Sequence, residues 1–374
     1  MIDESRLVDQ FIRFVQVDSP SGQEGEFAGL VRAELECVGI SAEFDRAARR
    51  LGGTGNNLVA HLPGSADGVP LLISAHLDTV APRKRVTPQI GDGVIRSGGD
   101  TILGADDKAA VAAILEAVRV VRAEALPYPP IDLVFSVSEE VGLRGIRVFD
   151  CSRLSARLGY VIDSHGPVGG IVVSAPTHDV LHARITGRAA HAGMEPEAGI
   201  SAIQIAAHAI DQMQLGRIDE ETTANIGVIE GGVATNVVPE QVALKGEARS
   251  HDEAKLQRQL AHMRGCLRAA ARKFGGKAQS RLEHQYRAFR MGSEEAVVAL
   301  ASAAARKIGV EPVLRSSGGG SDANVFNEHG IPTVVLAAGY EHPHSPEESI
   351  AIQELTRAAE WVVAIITLAA ERRT

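Results

Sequence analysis

Short apolar runs that stop abruptly at polar residues punctuate the chain: Leu71–Leu77, Ile131–Val137, Tyr160–Ile162 and Val334–Ala338. Runs of this length, apolar at consecutive rather than alternate positions, predict strands buried on both faces. Ala109–Val121 and Glu294–Lys307 are alanine-rich and apolar over lengths that suit helices between such strands. Alternating strand and helix predicts a three-layer α/β domain. At the start of the chain, Leu7–Val15 is amphipathic and Ser19-Pro20 breaks it. Ser21 and Glu24 then have the spacing of a capping box, which predicts a second helix reaching about Val38.

The middle of the chain has another rhythm. Leu181, Ala183 and Ile185 alternate with His182, Arg184 and Thr186, which predicts a half-exposed strand. Ile203, Ile210 and Met213 follow at helical spacing, and the turn signal Gly231-Gly232 separates strands at Ala224–Ile229 and Val237–Ala248. Leu256, Leu260, Met263 and Leu267 form a helical stripe, and Ala278–Tyr286 reads as a last strand. The order β-α-β-β-α-β is ferredoxin-like. The expected organisation is therefore a catalytic domain built from residues 1–175 and 291–374, with residues 176–290 inserted as a ferredoxin-like second domain.

Composition narrows the functional classes. Of 374 residues, 45% are apolar and 23% charged, an ordinary globular balance. A net charge of −9, without a basic stripe carrying interleaved aromatics, makes nucleic acid an unexpected partner. Cys37, Cys151 and Cys266 are odd in number and widely spaced, which fits no disulfide framework and points to a reducing cytoplasm. The first residues carry Asp3, Glu4 and Asp9 where an export signal needs basic ones. The apolar stretch Trp361–Ala370 is about half of the roughly 20 residues that a bilayer span needs, so no membrane association is expected.

The chemistry lies at the ends of the apolar runs. His76 with Asp78, Asp106 with Asp107, Glu139 with Glu140, Asp163, and His344 all fall at or just beyond the carboxyl end of an expected strand or the start of the next helix. That is where an open α/β sheet gathers its ligands. Each element alone has a plain reading: polar loop, acidic helix start, solvated turn. Together they place acids and imidazoles repeatedly at one edge of the sheet, and imidazole with carboxylate suits zinc, with manganese or cobalt admissible. So many acids suggest two ions rather than one. The glycine-rich Ser316–Asn324 stretch lacks the Gly-Lys-Ser/Thr ending of a P-loop, and no Gly-x-Gly-x-x-Gly follows the early strands.

The motifs resemble those of the peptidase T-like exopeptidases, in the superfamily of acetylornithine deacetylase, succinyl-diaminopimelate desuccinylase and carboxypeptidase G. The resemblance runs through Ser74-Ala75-His76-Leu77-Asp78-Thr79-Val80, Gly104-Ala105-Asp106-Asp107-Lys108 and Ser138-Glu139-Glu140-Val141-Gly142. It continues in Gly187-Arg188-Ala189-Ala190-His191-Ala192-Gly193, Ala234-Thr235-Asn236-Val237-Val238-Pro239 and Gly246-Glu247-Ala248-Arg249-Ser250. Gly318-Gly319-Gly320-Ser321-Asp322-Ala323-Asn324 and Gly339-Tyr340-Glu341, ahead of His344, close it. The resemblance implies one metal on His76, Asp106 and Asp163 and another on Asp106, Glu140 and His344, with Asp106 bridging. It makes Glu139 the general base and gives Asp78 the distal nitrogen of His76 to orient. His344 is preferred to His342 because Ser345 follows it; Asp107 is assigned to the turn. His191 becomes a donor to the substrate carbonyl, Arg249 a clamp for a substrate carboxylate, and Asn236 a weaker substrate contact.

The expected activity is amide hydrolysis by an aminopeptidase acting on tripeptides, since aspartate at position 163 and the Gly-Ala-Asp-Asp-Lys motif accompany that branch of the resembled group. The alternative substrate is an N-acyl amino acid or a carboxypeptidase G-like conjugate; a metal-binding protein without catalysis is disfavoured by Asp78 and Glu139. The insert is expected to serve as a lid or as the interface of a homodimer.

Overall fold

The computed structural model describes residues 1–82 and 84–372, which form two compact units. The first comprises residues 1–174, 290–316 and 321–374; the second comprises residues 175–289 with 317–320. The short glycine-rich stretch 317–320 thus joins the second unit, outside the boundaries expected from sequence.

The core of the first unit is a mixed sheet. At its centre the strands Ile131–Ser136, Leu71–His76, Leu158–Ser164 and Thr333–Ala337 lie side by side and parallel. These are the apolar runs of the sequence, and they are buried on both faces for the reason the pattern suggested. Leu71, Ile73, Ala75, Leu133, Phe135, Tyr160 and Ile162 share one hydrophobic cluster with the helices Ala105–Ala123 and Ile352–Glu371. The intervening Leu72, Ser74, Val134 and Val161 are equally buried. Leu58–Leu62 and Gly170–Ala175 pair antiparallel at the flanks and were not expected. A small separate sheet joins Pro88–Gly91, Val94–Ser97, Tyr340–Glu341 and Ser349–Ala351.

One local expectation fails. The helix Gly25–Cys37 does follow Ser21 and Glu24, but neither side chain caps it. Ser21 Oγ donates instead to Asp78, and Glu24 accepts from Gly22 and Ser138. Tertiary partners, an acceptor for Ser21 and a donor for Glu24, engage these side chains in place of the helix's own N–H groups.

The second unit is an antiparallel sheet in the order Gly216–Arg217, Thr222–Gly231, Gln241–Ser250, Thr177–Thr186, Lys277–Tyr286. The helices Ala202–Asp211 and Glu253–Phe274 cover one face through Ile205, Ala209, Leu256, Leu260, Met263 and Leu267. This is the ferredoxin-like order. The strand expected from Val237 begins only at Gln241, because the backbone before it is otherwise engaged: Val238 donates to the Ala190 carbonyl, Ala192 donates to that of Asn236, and Pro239 has no N–H to give. Cys37, Cys151 and Cys266 are free thiols.

Candidate metal centre

The parallel strands deliver their carboxyl ends to one place. His76 is the last residue of Leu71–His76 and is 2% exposed. Its Nδ1 lies 2.8 Å from the backbone carbonyl oxygen of Asp78, so that atom carries the proton and Nε2 is left to face the site. The Asp78 carboxylate stands farther off, 3.6 Å from Nδ1. It has other work: Oδ1 accepts from the Glu139 N–H at 2.9 Å, and Oδ2 accepts from the Glu140 N–H at 3.2 Å and from Ser21 Oγ at 2.6 Å. Position 78 thus orients the imidazole through its main chain and the glutamate turn through its side chain.

Asp106 begins the long helix and has non-helical backbone angles, as does Asp107, and the peptide between them is cis. One oxygen of Asp106 lies 3.0 Å from His76 Nε2 and the other 3.2 Å from His344 Nε2. Each histidine therefore has its own oxygen of a single carboxylate, the arrangement a bridging ligand requires. Asp107 accepts from the His76 N–H through Oδ2, while its buried Oδ1 has no partner among the described residues.

Glu139 and Glu140 follow the strand Ile131–Ser136 in a turn that starts at Ser138, whose φ of 55° is left-handed. Glu140 Oε1 is 2.8 Å from His344 Nε2. Asp163 lies within Leu158–Ser164, its Oδ1 3.6 Å from His76 Nε2 and 3.4 Å from the Tyr340 hydroxyl, which donates to it. Both His342 and His344 have left-handed backbone, but only His344 has carboxylate partners among the described contacts. Ligand atoms of His76, Asp106 and Glu140 lie within 4.8 Å of one another, and so do those of His76, Asp107 and Asp163.

Two supporting residues, Glu348 and Asp322, have no individual role in the sequence pattern. Glu348 is 1% exposed and gathers the N–H groups of Leu103 and Gly104 on Oε2, both at 2.8 Å, and that of Asp106 on Oε1 at 2.9 Å. It shapes the loop that presents Asp106 from 242 residues away. Asp322 opens the helix Asp322–Glu328; its Oδ2 accepts from Ser136 Oγ, and its other oxygen is buried without a partner among the described residues.

The electrostatics are those of a crowd of acids served by two imidazoles. Burial pushes the Glu139 carboxyl well above the usual carboxylate range, and the Asp163 charge adds to it. Burial likewise raises Asp163 to about 6, Glu348 to about 7 and Asp322 to about 7. Asp106 goes the other way: the penalty of burial is outweighed by hydrogen bonds from His344 and His76, so it stays ionised below the usual range. Hydrogen bonds to Asp106 and Glu140 raise His344 to about 10. His76 is raised in spite of its burial by Asp106, Asp163 and Asp78. The donor set fits divalent cations: hard carboxylate oxygens and imidazole nitrogens converge, and the Asp107 Oδ1 among them lacks a partner among the described residues.

The remaining candidates belong to the second unit. His191 is exposed, and its Nδ1 accepts from the N–H groups of Gly193 and Met194, both at 3.2 Å. Nδ1 is thus an acceptor, which places the proton on Nε2 and makes that atom a donor. Arg249 is paired through Nε and Nη2 with the two oxygens of Glu247, each at 3.1 Å. Its fork is therefore taken, and Nη1 is the edge left for a ligand. His178 Nε2 lies 3.0 Å from Glu247, whose carboxyl is held down at about 2 by its contacts with His178 and Arg249. Asn236 is exposed.

The geometry has counterparts among known proteins. A model of peptidase family M20/M25/M40 matches residues 72–368. The chain belongs to that family. It is 44% identical over 371 residues to YqjE, an uncharacterised protein of Bacillus subtilis, across 99% of this chain and 100% of that one. It is 27% identical to peptidase T of Geobacillus thermodenitrificans, covering 98% of both. Among solved structures, aminopeptidase PepT from Bacillus cereus superposes with a TM-score of 0.89 at 45% identity over 99% of each chain. A tripeptidase from Staphylococcus aureus superposes at 0.93 with 41% identity over the full length of both. The fold is thus that of an M20 peptidase.

Proposed function

We propose that this protein is a metal-dependent aminopeptidase that removes the N-terminal residue of tripeptides. The observation that carries the reading is the Asp106 carboxylate, which offers one oxygen toward His76 and the other toward His344. The M20 family membership and the likeness to PepT and a tripeptidase support the substrate class. His76, Asp106 and Asp163 would hold one divalent ion and Asp106, Glu140 and His344 the second, with zinc suited to the donors and manganese or cobalt tolerated. Such a pair supplies Lewis-acid polarisation of the scissile carbonyl and a lowered water pKa.

The chain's own residues do the rest. Glu139 takes the proton of the attacking water and returns it to the leaving amine, a role that suits a carboxyl whose burial raises its basicity. His191, with its proton on Nε2, donates to the oxygen that gains charge as the carbonyl is attacked. Arg249 offers Nη1 to the substrate carboxylate while Glu247 fixes the guanidinium plane. Arg249→Ala should raise KM for peptides with a free C-terminal carboxylate about tenfold to a hundredfold and leave their amides nearly unaffected. Equal losses on acids and amides would assign the arginine to structure.

Residues 176–290 would act as a lid or as the interface of a homodimer, in the cytoplasm. Among the described residues, the strand Thr222–Gly231 is covered at its outer edge only by the two-residue strand Gly216–Arg217, and it exposes Val228 and Ile229, with Val233 exposed just beyond its end. Equilibrium sedimentation should give twice the chain mass; a monomer at micromolar concentration would remove the dimer. No helix among the described residues is long and apolar enough to cross a membrane. The experiment for the activity is a panel of tripeptides, dipeptides, N-acetyl amino acids and C-terminal glutamate conjugates with zinc, manganese or cobalt supplied. Turnover confined to acyl substrates would move the protein to the deacylase branch.

A further inference from the structure

The segment Ser19–Glu24, which sequence pattern assigns to a helix break and a helix cap, is instead bonded to two loops of the same unit. Ser19 Oγ donates to the Leu77 carbonyl at 2.9 Å, the Thr79 N–H donates to the Ser19 carbonyl at 2.9 Å, and the Ser21 N–H donates to the Thr79 carbonyl at 3.3 Å. These bonds fix the segment along the His76–Thr79 loop. On its other side, Glu24 Oε1 accepts from the Ser138 N–H and from Ser138 Oγ, both at 3.0 Å, and from the Gly22 N–H at 2.7 Å. Three successive backbone donors, those of Ser138, Glu139 and Glu140, therefore end on two buried carboxylates, Glu24 and Asp78.

We propose that Glu24 is a positioning residue for Glu139. This rests on the reading of Glu139 as the general base. Ser138, immediately before it, is held at a φ of 55°. A left-handed backbone at a non-glycine residue is strained and persists only where the surroundings over-determine it. Glu24 supplies that constraint twice, on the main chain and on the hydroxyl. Its position is itself costly: the residue is 1% exposed, and Oε2 has no partner among the described residues. Space for that oxygen exists only because residue 55 is glycine; an added Cβ there would lie 2.8 Å from Oε2. A buried carboxylate with one idle oxygen is a poor device for stability alone. What it achieves is a fixed direction for the turn that carries Glu139, and a base misplaced by about 1 Å forfeits turnover on the order of a hundredfold.

The test compares Glu24→Gln with Glu24→Met in the metal-loaded full-length protein. Glutamine keeps an acceptor at Oε1; methionine fills the same volume without one. The expected result is kcat within about threefold of the unsubstituted protein for glutamine and about 30-fold lower for methionine, with KM within about threefold and two metals per chain in both. Equal kcat in the two variants, or a methionine effect confined to KM, would overturn the assignment. If Glu24→Met does not fold, Ser138→Gly serves: glycine accepts the left-handed backbone, only the hydroxyl bond is lost, and kcat should fall several-fold at constant KM. Unchanged kcat there would equally overturn it. Absence of turnover in the unsubstituted protein would count against the peptidase reading itself, which separates that failure from this one.

Discussion

Glu139→Gln should bind two metal ions per chain and lose at least about a thousandfold in kcat, with KM changed little. Glutamine preserves the length of the side chain and leaves the N–H of residue 139 on Asp78 Oδ1, so the turn and the proposed ligand Glu140 beside it stay in place. What disappears is the capacity to accept a proton from water and to return it to the leaving amine. General acid–base catalysis contributes typically 10²–10⁴-fold, and a thousandfold loss corresponds to about 4 kcal/mol of transition-state stabilisation. Steady-state kinetics on a tripeptide, together with elemental analysis, measure both quantities. Activity within tenfold of the unsubstituted protein would remove Glu139 from the role of base.

The second large effect concerns Asp106→Asn. The asparagine amide has one acceptor oxygen, and its NH₂ group would face either His76 or His344, each of which now meets a carboxylate oxygen at 3.0 or 3.2 Å. The variant should bind at most one ion at stoichiometric metal and lose more than a thousandfold in kcat. Proton release provides a further readout. With no cation bound, acid partners raise both histidines, His344 to about 10, which favours their protonated forms. Cations must displace those protons, so loading the unsubstituted protein should release them, and apparent affinity should rise with pH until His344 has titrated. Calorimetric titration in buffers of differing ionisation enthalpy counts the protons. In Asp106→Asn the count should fall, because imidazolium loses its main partner; an unchanged count and two tightly bound ions would contradict the bridging role.

The two kinds of error in the sequence reading have a common physical origin. The parallel strands Leu71–His76 and Ile131–Ser136 were legible because burial on both faces demands apolar residues throughout. Their polar ends were legible because a charged group at such an end needs a reason. Leu58–Leu62 and the strands of the small sheet were not, since elements of two to five residues leave too little pattern. The ligand candidates have the residue types of metal chemistry, whereas Glu348 and Glu24 act by accepting backbone N–H groups, a role that leaves no mark on the partners' sequence. Glu348 resembles any loop acid until the fold brings Leu103, Gly104 and Asp106 against it. Glu24 carried a misleading local signature, because the capping-box spacing describes donors within reach along the chain and says nothing of Ser138. Likewise the resemblance makes Asp78 the group that orients His76, but the hydrogen bond comes from its main chain while its carboxylate holds the glutamate turn.

The most direct measurement is product analysis of a tripeptide with three distinguishable residues, incubated with protein loaded with zinc, manganese or cobalt and with protein stripped by a chelator. The account predicts the free N-terminal residue and the C-terminal dipeptide as the first products, only with metal present, and no cleavage of the same peptide once its amino end is acetylated. Release of the C-terminal residue first, or undiminished cleavage by stripped protein, would contradict it.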